Sequence, residues 1–78
     1  MLLNGVAVGQ RARIISVNGP EALKHHILEM GLTPDTEVFV MAKAPLGDPL
    51  QLFVRGYQLS MRAAEAAFIE VKPKEGGK

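Results

Sequence analysis

His25 and Glu29 stand four residues apart in a segment of helical pattern, a spacing at which an imidazole and a carboxylate on one helix face can reach the same ion. His26 and Met30 share a second edge of that segment. Two ligands hold a divalent cation weakly, so the expectation is no resident cofactor, with Fe2+ or Zn2+ bound weakly at most. The other reading of the same residues is a solvated helix face carrying two surface histidines. Parts for catalysis are missing. The chain has no cysteine, and its serines, Ser16 and Ser60, lie outside any glycine elbow. Gly5 and Gly9 are not followed by the Lys-Ser or Lys-Thr that grips phosphates in a nucleotide loop. The expectation is therefore a protein that is not an enzyme and does not itself hydrolyse GTP or ATP. Asp35 and Asp48 fall in loop segments, where aspartate side chains serve turns by bonding local backbone N–H groups.

The elements that must position these groups are short. Gln10 to Val17, bounded by Gly9 and Asn18-Gly19, predicts a first strand. Pro20 to Met30 predicts the one clear helix, with Pro20 at the first helical position and Gly31 taking the left-handed conformation just past the end. Leu23, Ile27 and Met30 fall on one stripe of it, while Lys24, His25 and Glu29 lie away from that stripe. Thr36 to Ala42 and Leu50 to Val54 read as strands flanking a stiff tip, Lys43 to Pro49, centred on Leu46. Arg55-Gly56-Tyr57 predicts a tight turn, Gln58 to Met61 a strand, Arg62 to Ala66 a helical turn, and Phe68 to Val71 a closing strand. Five short strands with one helix over about residues 20–30 and a helical turn over 62–66 imply a mainly β fold, a small SH3-like barrel whose closure removes exposed sheet edges.

Period-two alternation places Val38, Val40 and Ala42 on one face of the hairpin and Phe39 and Met41 on the other. Leu50, Leu52 and Val54 likewise oppose Gln51, Phe53 and Arg55, so Phe39 faces Phe53 across the strands, away from the Val and Leu core. Leu28 sits off the helix stripe and must be covered either by the Leu32-Thr33-Pro34 loop or by another protein. Leu28, Phe39, Met41, Phe53 and the tip residue Leu46 are the candidate partner-binding residues.

Composition bounds the rest. A chain of 78 residues makes one domain and buries only about 60% of the surface its unfolded form exposes. Its aromatics are Phe39, Phe53, Phe68 and Tyr57, so aliphatics must supply the core. Without cysteine there is neither a disulfide framework nor a thiolate metal site, which fits a reducing cytosol. Nine basic and eight acidic residues give a net charge of +1, which is no electrostatic footprint for nucleic acid. Arg11 and Arg13 alternate on one strand face, forming either a small basic patch or an ordinary solvated edge. The first residues lack a basic leader, and no apolar run approaches the roughly 20 residues of a membrane helix, so a soluble, cytoplasmic protein without direct membrane insertion is expected. There is no internal repeat. Residues 1–72 form the expected domain, and the charged, glycine-rich residues 73–78 a flexible tail.

The order and spacing of Val8-Gly9, Leu28-Glu29-Met30-Gly31-Leu32-Thr33-Pro34, Pro45-Leu46-Gly47-Asp48-Pro49, Arg55-Gly56-Tyr57-Gln58-Leu59-Ser60-Met61-Arg62 and Ile69-Glu70-Val71 closely resemble the FeoA family, small cytoplasmic accessory proteins of bacterial ferrous iron uptake. The resemblance covers nearly the whole chain. It implies an SH3-like barrel that docks on the cytoplasmic part of FeoB, a membrane transporter with a GTPase domain, and supports or tunes it. It also implies kinship with the carboxy-terminal domain of iron-dependent and manganese-dependent repressors. From that kinship comes an alternative, a metal-responsive regulatory module that binds transition metal directly through His25, Glu29 or loop carboxylates. Asp35 stands where the family usually has glycine after Thr-Pro, and His25-His26 where arginine is common before the two aliphatics.

Overall fold

The alternation of charged and apolar residues in Arg11–Val17 builds β1, whose Ala12, Ile14 and Val17 are buried while Arg11 and Arg13 face outward. The structure is a computed structural model that describes residues 1–74. A 3-10 turn at Leu3–Gly5 precedes β1, and α1 (Glu21–Glu29), β2 (Glu37–Lys43), β3 (Leu50–Val54), β4 (Tyr57–Met61), α2 (Ala63–Ala66) and β5 (Ile69–Pro73) come after it. Among the described residues no helix is long and apolar enough to cross a membrane.

The helix lies where proline and glycine bracket it, one residue inside the expected start. Pro20 is the N-cap, in an extended conformation (φ −58°, ψ 147°), rather than the first helical residue. Past the C-cap Met30, Gly31 adopts φ +91°, the left-handed conformation that favours glycine, and a Cβ there would press on the Tyr57 hydroxyl. Asp35 takes φ +74°, a left-handed position that aspartate tolerates better than most residues.

All strands pair antiparallel in the order β4-β3-β2-β1-β5. The β3–β4 hairpin turns on Arg55 and Gly56, at φ 51° and 89°, the left-handed pair whose twist matches that of the flanking strands. The expected SH3-like, five-stranded fold is present, but its ladder does not close: no pairing joins β4 to β5 among the described residues. The edges are managed otherwise. Along β5 the Val71 N–H donates to the Met1 carbonyl at 2.7 Å, and Leu2 bridges to Glu70, so the first residues act as a short cover strand. Between β4 and β5 the single-turn helix α2 is held by two carboxylates. The Arg62 N–H donates to Glu65 Oε1 at 3.0 Å and the Ala63 N–H to Asp48 Oδ1 at 3.0 Å. Asp48 thus ties the β2–β3 tip to α2 instead of serving its own turn.

The core lies on the inner face, where Ile14, Val38, Val40, Leu50, Leu52 and Val54 are fully buried against Ile27 of α1, Leu32, Met61 and Ile69. Leu3 and Val6, from a segment with no strand or helix pattern, are fully buried too. One expected inner residue is not. The pairing slips between Val40 and Ala42, leaving Met41 as the bulged residue, so Ala42 pairs with Gln51 of the outer face and is exposed. Strand β5 also runs past the expected domain end at residue 72: Pro73 belongs to it, and the Lys74 N–H donates to the Arg11 carbonyl at 2.9 Å. Of the expected tail 73–78, residues 75–78 lie outside the described residues.

Candidate functional site

Directly opposed residues of antiparallel strands point to the same side of the sheet. The pairings Gln58 with Phe53, Phe53 with Phe39 and Phe39 with Arg11 therefore form one row across β4, β3, β2 and β1 on the outer face. Phe39 and Phe53 are cross-strand neighbours, as the alternation on both sides of the tip requires. Phe53 is 41% exposed; Phe39 is half-buried, with the Arg11 guanidinium 5.3 Å from its ring centroid. Met41, at the bulge, is half-buried.

The neighbouring row is charged. Arg13 pairs with Glu37 on one side and with Lys72 on the other. The Glu37 carboxylate is engaged at both oxygens, its Oε2 taking Arg11 Nε at 3.2 Å and its Oε1 taking Lys74 Nζ at 3.2 Å. Arg13, Glu37, Lys72, Pro73 and Lys74 line a cavity of about 450 Å³. Arg11 and Arg13 both face solvent on the outer side, and the pairing of β5 with β1 sets Lys72 and Lys74 beside them. Sequence reasoning missed Lys72 and Lys74 because only the β1–β5 pairing brings them across. The available signal was the outward parity of Lys72 and Lys74 on the closing strand.

The other candidate residues lie apart from this face. Leu46 is 96% exposed at the β2–β3 tip. Leu28 is half-buried and packs against the core, so it sits at the rim of the apolar interior. A clasp fixes the end of α1 behind it: the Tyr57 hydroxyl donates to the Met30 carbonyl, and Arg55 Nη2 donates to Thr33 Oγ1 at 3.3 Å and Thr36 Oγ1 at 2.9 Å. Thr36 is the one polar residue buried among the described residues, and this clasp satisfies it. Sequence reading saw Arg55 and Tyr57 only as turn residues. A second cavity, of about 560 Å³, opens between α1 and α2, lined by His26, Met30, Asp48, Ser60, Arg62 and Glu65 among others. Its charged lining sets Asp48 and Glu65 against Arg62, with His26 beside them. His25 and Glu29 are both exposed on α1, and among the described residues no group of three or more histidine, cysteine or carboxylate side chains converges on one point.

The FeoA domain model matches residues 1–73. The chain belongs to the FeoA family. It is 36% identical over 72 residues to the Fe(2+) transport protein A/Fe(2+) transporter FeoB fusion protein of Porphyromonas gingivalis, covering 92% of this chain and 8% of that protein. The chain thus spans a small part of the curated relative it matches. Among solved structures it superposes on an FeoA-like protein from Clostridium acetobutylicum with a TM-score of 0.91 at 33% identity, covering 100% of this chain and 91% of that one. It also superposes on FeoA of Stenotrophomonas maltophilia complexed with zinc, described as an SH3 domain protein, with a TM-score of 0.80 at 28% identity, covering 92% of this chain and 89% of that one. In the P. gingivalis relative the FeoA part and the FeoB transporter belong to one fusion protein.

Proposed function

We propose that this FeoA-family chain is a non-enzymatic, cytoplasmic accessory protein that binds the cytoplasmic part of an FeoB-type transporter and supports or tunes ferrous iron uptake. The observation that carries this reading is the P. gingivalis fusion, in which a domain 36% identical to this chain is part of the same polypeptide as the transporter. Covalent joining holds two modules at high effective concentration, and a domain that works joined to a transporter in one protein is suited to reach it by surface contact when separate. The fold supplies such surface without loss of core: the Phe39–Phe53 row with Met41, the Leu46 tip and the Leu28 rim all carry apolar area beyond the buried interior.

The test is calorimetric titration of the chain against the cytoplasmic part of the FeoB-type transporter from the same organism. Wild type binds; a Leu28→Gln variant loses about 2 kcal/mol, roughly thirtyfold in affinity, if Leu28 is an anchor, because polarising an apolar anchor costs that much. Circular dichroism and thermal melting check that the variant is folded. Unchanged binding excludes Leu28 as an anchor, a collapsed melt assigns it to the core, and absence of wild-type binding overturns the reading.

The zinc held by the S. maltophilia relative favours a second reading, a metal-responsive module that binds transition metal directly. In this chain its ligands would come from His25 and Glu29 with a loop carboxylate.

A further inference from the structure

We infer that the outer face of β3, β2, β1 and β5 is a bipartite docking surface for a short acidic protein segment, which lays an aromatic or aliphatic side chain on Phe53 and Phe39 and its carboxylates on Arg13 and Lys72. This names the chemistry of the partner and rests on the proposed association with the transporter, whose cytoplasmic part would supply the segment.

Charge complementarity selects the occupant. Among the described residues, Arg11, Arg13, Lys72 and Lys74 share this end of the face with one carboxylate, Glu37, whose two oxygens are engaged by Arg11 and Lys74. Arg13 and Lys72, directly opposed across β1 and β5, have no carboxylate partner among the described residues, and both are exposed beside the cavity of about 450 Å³. Glu70, the next outward position of β5, is engaged by the amino group of Met1 at 2.7 Å. Among the described residues the face therefore presents two cations without a carboxylate partner, in the row beside the one that carries Phe53 and Phe39. Phe53, on β3, and Lys72, on β5, are three strand spacings apart and two residues offset along the strands, roughly 16 Å, which about five residues of extended chain can cross. Arg11 joins the halves, since its guanidinium contacts both the Phe39 ring and Glu37.

Other occupants fit less well. Two such cations with the Glu37 carboxylate on the far side of Arg13 attract anionic lipid headgroups too weakly to hold a protein on a membrane. Nucleic acid would find, among the described residues, two cations on this face not already paired to a carboxylate. A carboxylate-bearing peptide needs no more than two cations, and the phenylalanine pair supplies the desolvated contact that makes such a pairing specific.

The experiment titrates the 15N-labelled chain with three probes: the cytoplasmic part of the FeoB-type transporter, a synthetic peptide of glutamates around one phenylalanine, and phosphatidylcholine–phosphatidylglycerol vesicles. Amide signals of Arg13, Gln51, Phe53, Gln58 and Lys72 are expected to move with the first two and not with the third. In an Arg13→Gln, Lys72→Gln double variant, whose melt checks folding, affinity for the transporter falls about tenfold, and raising sodium chloride to about 0.5 M weakens wild type in the same way. Should that variant not fold, Lys72→Gln alone tests the exposed strand end. Transporter binding as tight in the variant as in wild type overturns the surface and leaves the proposed function standing. Binding of the peptide at this face without transporter binding overturns the proposed function and keeps the recognition of an acidic segment. Vesicle-induced shifts that the double variant abolishes replace the protein partner by an anionic membrane, and shifts with no probe overturn both readings.

Discussion

Leu52 and Phe53 are neighbours in β3 with opposite fates. Leu52, opposed to Val40 and Leu59, is fully buried, whereas Phe53, opposed to Phe39 and Gln58, keeps 41% of its surface exposed. In a domain this small the inner face uses its aliphatic residues to make one core, closed off from the chain termini side by Leu3 and Val6. Two aromatics on the outer face are then surplus to folding. Helix α1 repeats the contrast around its own axis: Ile27 is fully buried, Leu28 stands at the rim of the core, and His25 and Glu29 are exposed. A side chain whose burial the fold itself completes is a stability residue. One whose apolar surface is left half-covered is available to a partner.

The strongest way to break this distinction is to truncate both neighbours. Leu52→Ala leaves a cavity among fully buried residues and is expected to cost about 3 kcal/mol, lowering the melting midpoint by about 15 °C in a domain of this size. Phe53→Ala leaves no cavity and gives up only the cross-strand pair with Phe39, so it is expected to cost under about 1 kcal/mol in stability while weakening transporter binding severalfold. Thermal melts of the two variants, run side by side with calorimetric binding, check both. Equal losses of stability would show that the outer aromatic row is a structural layer and would remove it from the docking surface.

Where the sequence could be read, the information was local. Alternation over Val38–Val40 and Leu50–Val54 fixed the Phe39–Phe53 register, Pro20 and Gly31 bracketed α1, and Arg55-Gly56 marked a hairpin turn, because each depends on backbone preferences within a few residues. What stayed hidden depends on long-range pairing. The slip that exposes Ala42 arises from fitting β2 to β3 and leaves no trace in the alternation itself. Leu3 and Val6 lie in a segment too short for any period, so only the finished core reveals their burial. Lys72 and Lys74 join Arg11 and Arg13 because β5 pairs with β1, and the clasp from Arg55 to Thr33 and Thr36 links residues about twenty positions apart. Of the candidate partner residues, the phenylalanine pair was legible from register alone. The charged half of the same face was not.

The smallest expected effect concerns the exposed side of α1, and it sharpens the comparison by asking whether exposure there carries chemistry. His25 and Glu29 are both exposed, and no third histidine or carboxylate among the described residues completes a set with them. A divalent cation held by two side chains and water gains little over its hydrated state, since tight sites need three or four convergent, oriented ligands. Isothermal titration with Fe2+ under anaerobic conditions, and separately with Zn2+, is therefore expected to give weak binding. His25→Ala should leave that binding and the melting midpoint nearly unchanged, within about 0.5 kcal/mol in stability, as for other exposed helix positions. A stoichiometric, sub-micromolar site, about 8 kcal/mol or more in binding free energy, that disappears in His25→Ala would mean that α1 gathers further ligands on metal binding. The exposed helix face would then be the working surface, and the metal-responsive reading would displace the docking module.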